Sequence, residues 1–246
     1  MKYLTILGLL LLSLRVSVAR ADVDHSLFDS LLRKHVDEQG MVNYKGFRKD
    51  EAELRRYLTL LSKNPPKAGW SAPEKLAYWI NAYNAFTIQL ILKHYPVKSI
   101  KDIGSTIQIP FVNTPWDVKF IRIGENEYDL NNIEHDIIRK QFNDPRIHFA
   151  LVCAAKSCPR LRNEAYTAAK LNRQLDEQGR DFLNNPAKNA ITSRQASLSK
   201  ILDWYAGDFR KNGQSVVGWV NRYSTVKISN DTRLSYQTYD WSLNEQ

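Results

Sequence analysis

Cysteine is scarce in this chain: Cys153 and Cys158 are the only two in 246 residues. That excludes a disulfide-built scaffold and a zinc site made from two cysteine pairs. Their spacing is C-x-x-x-x-C, so the C-x-x-C redox motif is missing too. No Gly-rich phosphate loop and no G-x-S-x-G elbow occur, which removes the common nucleotide-binding and serine-hydrolase signatures. Beyond residue 21 no apolar run approaches the ~20 residues that span a bilayer, so stable membrane insertion is not expected. Long blocks of one charge are absent as well. The formal net charge of +9 is spread among acids, and a nucleic-acid partner is not expected. Internal repeats, low-complexity tracts and long linkers are also lacking.

What is present begins with "MKYLTILGLLLLSLRVSVARA". A basic start at Lys2, a short apolar run and the Ala19-Arg20-Ala21 ending form a secretory signal pattern over residues 1–21, with cleavage expected before Asp22. Loss of Lys2, Arg15 and Arg20 would lower the net charge from +9 to +6. The remaining 22–246 segment suffices for one domain with its own core, in a periplasmic or secreted setting. Two cysteines in such a setting raise the prospect of a disulfide. A loop this short would add only ~2–3 kcal/mol by chain entropy, so it would shape a loop rather than hold the fold.

Periodicity predicts helices in "HSLFDSLLRKHVDEQG", "KDEAELRRYLTLLSKNPP", "SAPEKLAYWINAYNAFTIQLILKHYP", "DLNNIEHDIIRKQF", "AAKLNRQLDEQGRDFLNN", "KILDWYAGDFRKNG" and "SVVGWVNRYS". Ser71 is the expected cap of the third. "MVNYKGF", "RIHFALVC", "ASLS" and the tail from Thr232 read as strands, and "WDVKFIRIGENEYDL" as a hairpin turning at Gly124-Glu125-Asn126. The fold class is therefore α+β: a helix-dominated single domain with a small antiparallel or mixed sheet.

Three polar groupings stand out. Asn81 and Asn84 interrupt a helix apolar on nearly every face, with Glu74 two turns before Asn81. Buried amides need partners, so the stripe is either a packing network or one wall of a site. Glu134 and His135 are adjacent near a helix start. In "RIHFALVCAAKSCPRL", strand alternation turns His148 away from Cys153 and separates them by roughly 16 Å. That leaves His135 as the histidine free to reach Cys153 through the tertiary fold. Lys156 is placed to favour a thiolate.

The segments "EKLAYWINAYNAFTIQLIL", "LNNIEHDIIRK", "DPRIHFALVCAAKSCPRL" and "YDWSLN" resemble, in this order, the domain-of-unknown-function family numbered 547. The resemblance carries over Glu74, Asn81, Asn84, Glu134, His135, His148, Cys153 and Cys158 as motif residues. Val152 departs from the polar residue frequent before the first cysteine. Some relatives join this domain to glutaredoxin-like modules, which implies thiol chemistry by association. A thiol, a histidine and a carboxylate or amide are the ingredients of cysteine nucleophile catalysis.

The leading expectation is a cysteine-dependent hydrolase or acyl transferase. Cys153 is the nucleophile, His135 the base and Glu74 or Asn81 the orienting group, with "AAKS" amides holding an oxyanion. The substrate is an unidentified small molecule, peptide or envelope component, and no cofactor or metal is called for. The rival expectations are an envelope-binding module with a structural Cys153–Cys158 disulfide and, third, a dithiol redox protein.

Overall fold

The computed structural model describes residues 23–104 and 114–246; the signal-sequence reading lies outside them. Helix α1 (Ser26–His35) buries Phe28, Leu31 and Leu32. Val36 then pairs with Val42 as an isolated bridge, with Gly40 at φ +79° between them. The strand expected in "MVNYKGF" is confined to that bridge. From Tyr44 the chain enters helix α2 (Tyr44–Lys49), because the Asn43 side chain accepts a bond from the Gly46 N–H and caps it.

Helix α3 (Glu51–Lys63) leads to α4 (Ala72–His94), the central element. Residues Leu76 through Ile88 of α4 are all buried, whatever face they occupy. Its start is a capping box: Ser71 N–H donates to Glu74 Oε2 at 2.6 Å, and Glu74 N–H to Ser71 Oγ at 3.4 Å. Strands β1 (Ile121–Ile123) and β2 (Asn126–Tyr128) form the expected hairpin, with Ile123 opposite Asn126. A π-helical stretch, Asn132–Ile138, follows and continues into α5 (Arg139–Gln141).

The buried strand expected at "RIHFALVC" is absent: Pro145–Phe149 is a 3-10 turn, capped by the Asp144 side chain on Arg146 N–H. Ile147, His148 and Phe149 are all buried. Apolar alternation here reflects complete enclosure, not a pleat. Helix α6 (Leu171–Leu183) clamps this turn, with Gln178 Nε2 donating to the carbonyls of Phe149 and Arg160, each at 2.9 Å.

The last part of the chain builds a second, smaller core. Strands β3 (Ala190–Ile191), β4 (Gln195–Leu198) and β5 (Arg233–Tyr236) form a mixed sheet in the order β3-β4-β5, antiparallel then parallel. Helices α7 (Lys200–Trp204), α8 (Ala206–Phe209) and α9 (Val216–Tyr223) lie between β4 and β5 in sequence. Phe149 joins this cluster with Phe182, Phe209 and Trp219, so the turn carrying His148 is held where the two cores meet. The fold is helix-dominated α+β with two small sheets. Among the described residues no helix is long and apolar enough to cross a membrane.

Candidate active site

The two cysteines line a cavity of about 210 Å³. Helix α4 contributes Tyr83, the π-helical stretch Glu134 and His135, the 3-10 turn His148, and the end of α7 Trp204 with Tyr205 after it. Trp116 precedes the hairpin, and the tail runs beside the cysteine loop. Lys156 N–H donates to Ser242 O at 2.8 Å, Ser157 N–H to Asp240 O at 3.2 Å, and Asn244 N–H to Ala154 O at 3.0 Å. This pairing delivers Tyr239 and Trp241 to the cavity. It also commits the N–H groups of Lys156 and Ser157, two of the "AAKS" amides expected to hold an oxyanion.

The sulfurs of Cys153 and Cys158 are in contact, and their Cα atoms are 6.4 Å apart, a separation that a disulfide bridges. Cys158 is 2 % exposed, whereas Cys153 is half-buried and the more accessible of the two. Cys158 Sγ accepts from Cys153 N–H at 3.1 Å and from the Tyr239 hydroxyl at 3.2 Å; that hydroxyl is also 3.5 Å from Cys153 Sγ. Ala154, immediately after Cys153, has φ +62°. A left-handed alanine costs about 1–2 kcal/mol, and such strain gathers at functional sites when the surroundings enforce it.

The structure assigns the two histidines opposite proton arrangements. Arg139 Nη1 lies 3.0 Å from His135 Nδ1. A guanidinium only donates, so His135 Nδ1 accepts and the ring proton sits on Nε2. His135 is thereby arranged as a donor, not as the base expected from sequence. His148 Nε2 instead donates to Asp208 Oδ2 at 2.8 Å, which leaves Nδ1 with the lone pair. Burial pushes the pKa of His148 below its ordinary 6.5, with the Asp208 hydrogen bond opposing that shift, so the ring is neutral and able to accept a proton. Asp208 also takes Arg139 Nε at 2.6 Å and Lys211 Nζ at 2.8 Å. The His148 hydrogen bond foremost, together with these two cations, holds its carboxyl far below the usual carboxylate range.

Glu134 is buried and accepts from the Tyr205 hydroxyl at 2.6 Å. Tyr205 stacks on His148 with ring centroids 3.8 Å apart. At the mouth, Trp116 and Trp204 each pack against Trp241, at 5.6 and 5.9 Å, and Tyr239 contacts Trp204 and Trp241 at 4.8 and 4.5 Å.

Of the four residues expected to act together, Cys153 and His135 line this cavity, and Glu74 and Asn81 do not. Glu74 is occupied at the surface end of α4 by the capping box. Asn81 is buried and bonded to Tyr166 in both directions: its Nδ2 donates to Tyr166 O at 2.8 Å, and Tyr166 N–H donates to its Oδ1 at 2.9 Å. The orienting carboxylate beside a histidine is Asp208, which sequence reasoning missed. His148 was turned away from Cys153 on the basis of a strand that does not exist. Asn84, one turn past Asn81, donates to Ala150 O and accepts from Val152 N–H, both at 3.0 Å, and so fixes the segment entering Cys153.

No curated protein and no solved structure matches the chain. Residues 67–183 match the family described as "Protein of unknown function, DUF547". That stretch contains α4, the hairpin, the π-helical stretch, the His148 turn and both cysteines. Asp208, Tyr239 and Trp241 are added by the chain beyond it. By this match, residues 67–183 carry a DUF547 domain, a family described as of unknown function.

Proposed function

We propose that this chain is an exported cysteine-dependent enzyme of hydrolase or acyl-transferase type, with Cys153 as nucleophile and the Asp208-held His148 as its base. The observation that carries this reading is one cavity lined by a half-buried thiol position and by a neutral histidine whose second nitrogen is fixed by a carboxylate. Asp208 fixes the tautomer; burial keeps His148 uncharged until it takes a proton.

The resting pair is a Cys153–Cys158 disulfide. An external thiol reductant supplies two electrons and two protons, giving two thiols. His148 Nδ1 then removes the Cys153 proton as the sulfur attacks a substrate carbonyl carbon. The Tyr239 hydroxyl, 3.5 Å from that sulfur, turns from Cys158 to donate to the developing oxyanion. Collapse breaks the bond to the leaving group, which takes the proton from His148. Water, or an acceptor alcohol or amine, then cleaves the thioester and restores the thiol.

Hydrolysis of p-nitrophenyl acetate tests this. Turnover by the reduced protein, absent from the untreated protein and from Cys153→Ser, supports it. The contact between the sulfurs also favours a second reading, a binding module with a structural disulfide. A bridge that resists excess dithiothreitol in the folded protein, with no esterase activity, would establish that reading instead. Export itself is tested by intact mass: a secreted chain beginning at Asp22 is expected, and retention of Met1 contradicts it.

A further inference from the structure

We infer that the cavity binds a small quaternary or methylated ammonium group, so that the substrate is an acyl compound carrying an organic cation. This deepens the proposed function and rests on the cavity being its active site. Three observations converge.

The first is charge. Although the chain is basic overall, among the described residues Glu134 is the one carboxylate lining the cavity, and no lysine or arginine lines it. Arg139 is engaged by Asp208, by His135 Nδ1 and by the face of Tyr205, and Lys101 rests on Trp241, its ammonium 5.2 Å from the ring centroid. An anionic ligand would meet a carboxylate without a compensating cation.

The second is the wall. Six aromatic residues line the space: Tyr83, Trp116, Trp204, Tyr205, Tyr239 and Trp241. Aromatic faces attract cations through their quadrupoles, tryptophan most strongly, and enclosures of such rings recognise quaternary ammonium groups. Trp204 is 48 % exposed, so the helix presents a large apolar ring at the mouth of a polar cavity.

The third is the state of the hydrogen-bonding groups, which decides between a cation and a polyhydroxyl ligand. Tyr205 donates to Glu134, and His135 Nδ1 is held by Arg139. His148 Nε2 is held by Asp208, Tyr239 donates to Cys158, and Asn131 donates to Asp117. Only His135 Nε2–H and His148 Nδ1 are left open among these, fewer than the several hydroxyls of a sugar or the three donors of a primary ammonium call for. A methylated ammonium needs none. The volume, about 210 Å³, is below the ~300–1,000 Å³ of sites for drug-sized ligands. It suits a group of choline size or the cationic end of a longer molecule.

The test is titration of the intact, untreated protein with choline, read by tryptophan fluorescence and calorimetry, against the neutral isostere 3,3-dimethyl-1-butanol. Saturable choline binding is expected, with the isostere about tenfold weaker or more, and Trp204→Ala and Glu134→Gln each weakening choline about tenfold. Trp204 is exposed enough for its truncation to spare the core. If Glu134→Gln fails to fold, the choline-to-isostere ratio of the native protein decides the charge argument alone. Equal affinity for both compounds, no saturable signal up to roughly 50 mM, or wild-type affinity in Trp204→Ala overturns the inference. Choline binding requires no thiol, and p-nitrophenyl acetate carries no charge. Failure here with successful ester turnover removes only the cation, and the converse removes only the cysteine chemistry.

Discussion

Replacing Asn84 with alanine couples the fold to the site. Asn84 is 3 % exposed, and its amide satisfies two backbone groups at once, the Ala150 carbonyl and the Val152 N–H, both at 3.0 Å. Ala150 and Val152 are themselves 1 % and 3 % exposed, so water does not readily replace the lost bonds. Each buried backbone group left unpaired costs about 1–3 kcal/mol. Two of them, partly relieved by local relaxation, give an expected loss of ~2–4 kcal/mol. A chain of this size unfolds in urea with a slope of roughly 2–3 kcal/mol/M, so the midpoint should fall by about 1 M with the slope unchanged. The same variant should lower ester turnover, because Val152 precedes Cys153. A urea midpoint equal to that of the wild type would refute the reasoning, since it would mean that neither backbone group depends on this amide.

Glu74→Ala should leave ester turnover unchanged and move the urea midpoint far less than Asn84→Ala, because its bonds cap an exposed helix end; a loss of turnover would return Glu74 to the site. Ala154→Gly should stabilise by about 0.5–1 kcal/mol, the relief of left-handed strain less the added chain entropy; destabilisation in urea would show that the alanine methyl packs productively. Asp208 has a folded pKa depressed below its ordinary 3.8, so its contribution is present above about pH 4 and is lost as pH falls further. Asp208→Asn should therefore flatten the acid limb of stability against pH, and an unchanged limb would contradict the ion network. His25, lowered by burial to about 4, binds protons in the unfolded chain between its ordinary 6.5 and that value. Stability should thus decline as pH falls through this window, and His25→Gln should remove that slope in urea titrations at several pH values.

The long periodic helices were legible in the sequence because one-sided burial and caps reinforce each other. Helix α3 shows this, as do Ser71 at the start of α4 and Leu171–Leu183 in α6. Pattern fails where every residue is enclosed. Between Ile147 and Phe149 burial is complete, so no period distinguishes a strand from a 3-10 turn, and the placement of His148 inherited that ambiguity. Glu74 carried its own local explanation, since Ser71-Ala72-Pro73-Glu74 is a capping-box spacing; grouping it with Asn81 overrode the nearer signal. Asp208, Tyr205 and Tyr239 were not legible. They stand 50 to 90 residues from the groups they serve, and no local spacing in sequence anticipates a contact made by a second core folding against the first.

The most direct measurement is single-turnover acylation of the reduced protein by p-nitrophenyl acetate across pH, with the adduct located by mass spectrometry, in the wild type and in His148→Gln. The expected result is one acetyl group on Cys153. Because burial lowers the pKa of His148, its unprotonated, proton-accepting form persists as pH falls through 6.5, so the acid limb of the rate should lie below pH 6.5. That limb should vanish, with a large loss of rate, in His148→Gln. An acetyl group found elsewhere than Cys153, or a rate and pH profile unchanged by His148→Gln, would contradict the assignment of Cys153 and His148 as nucleophile and base.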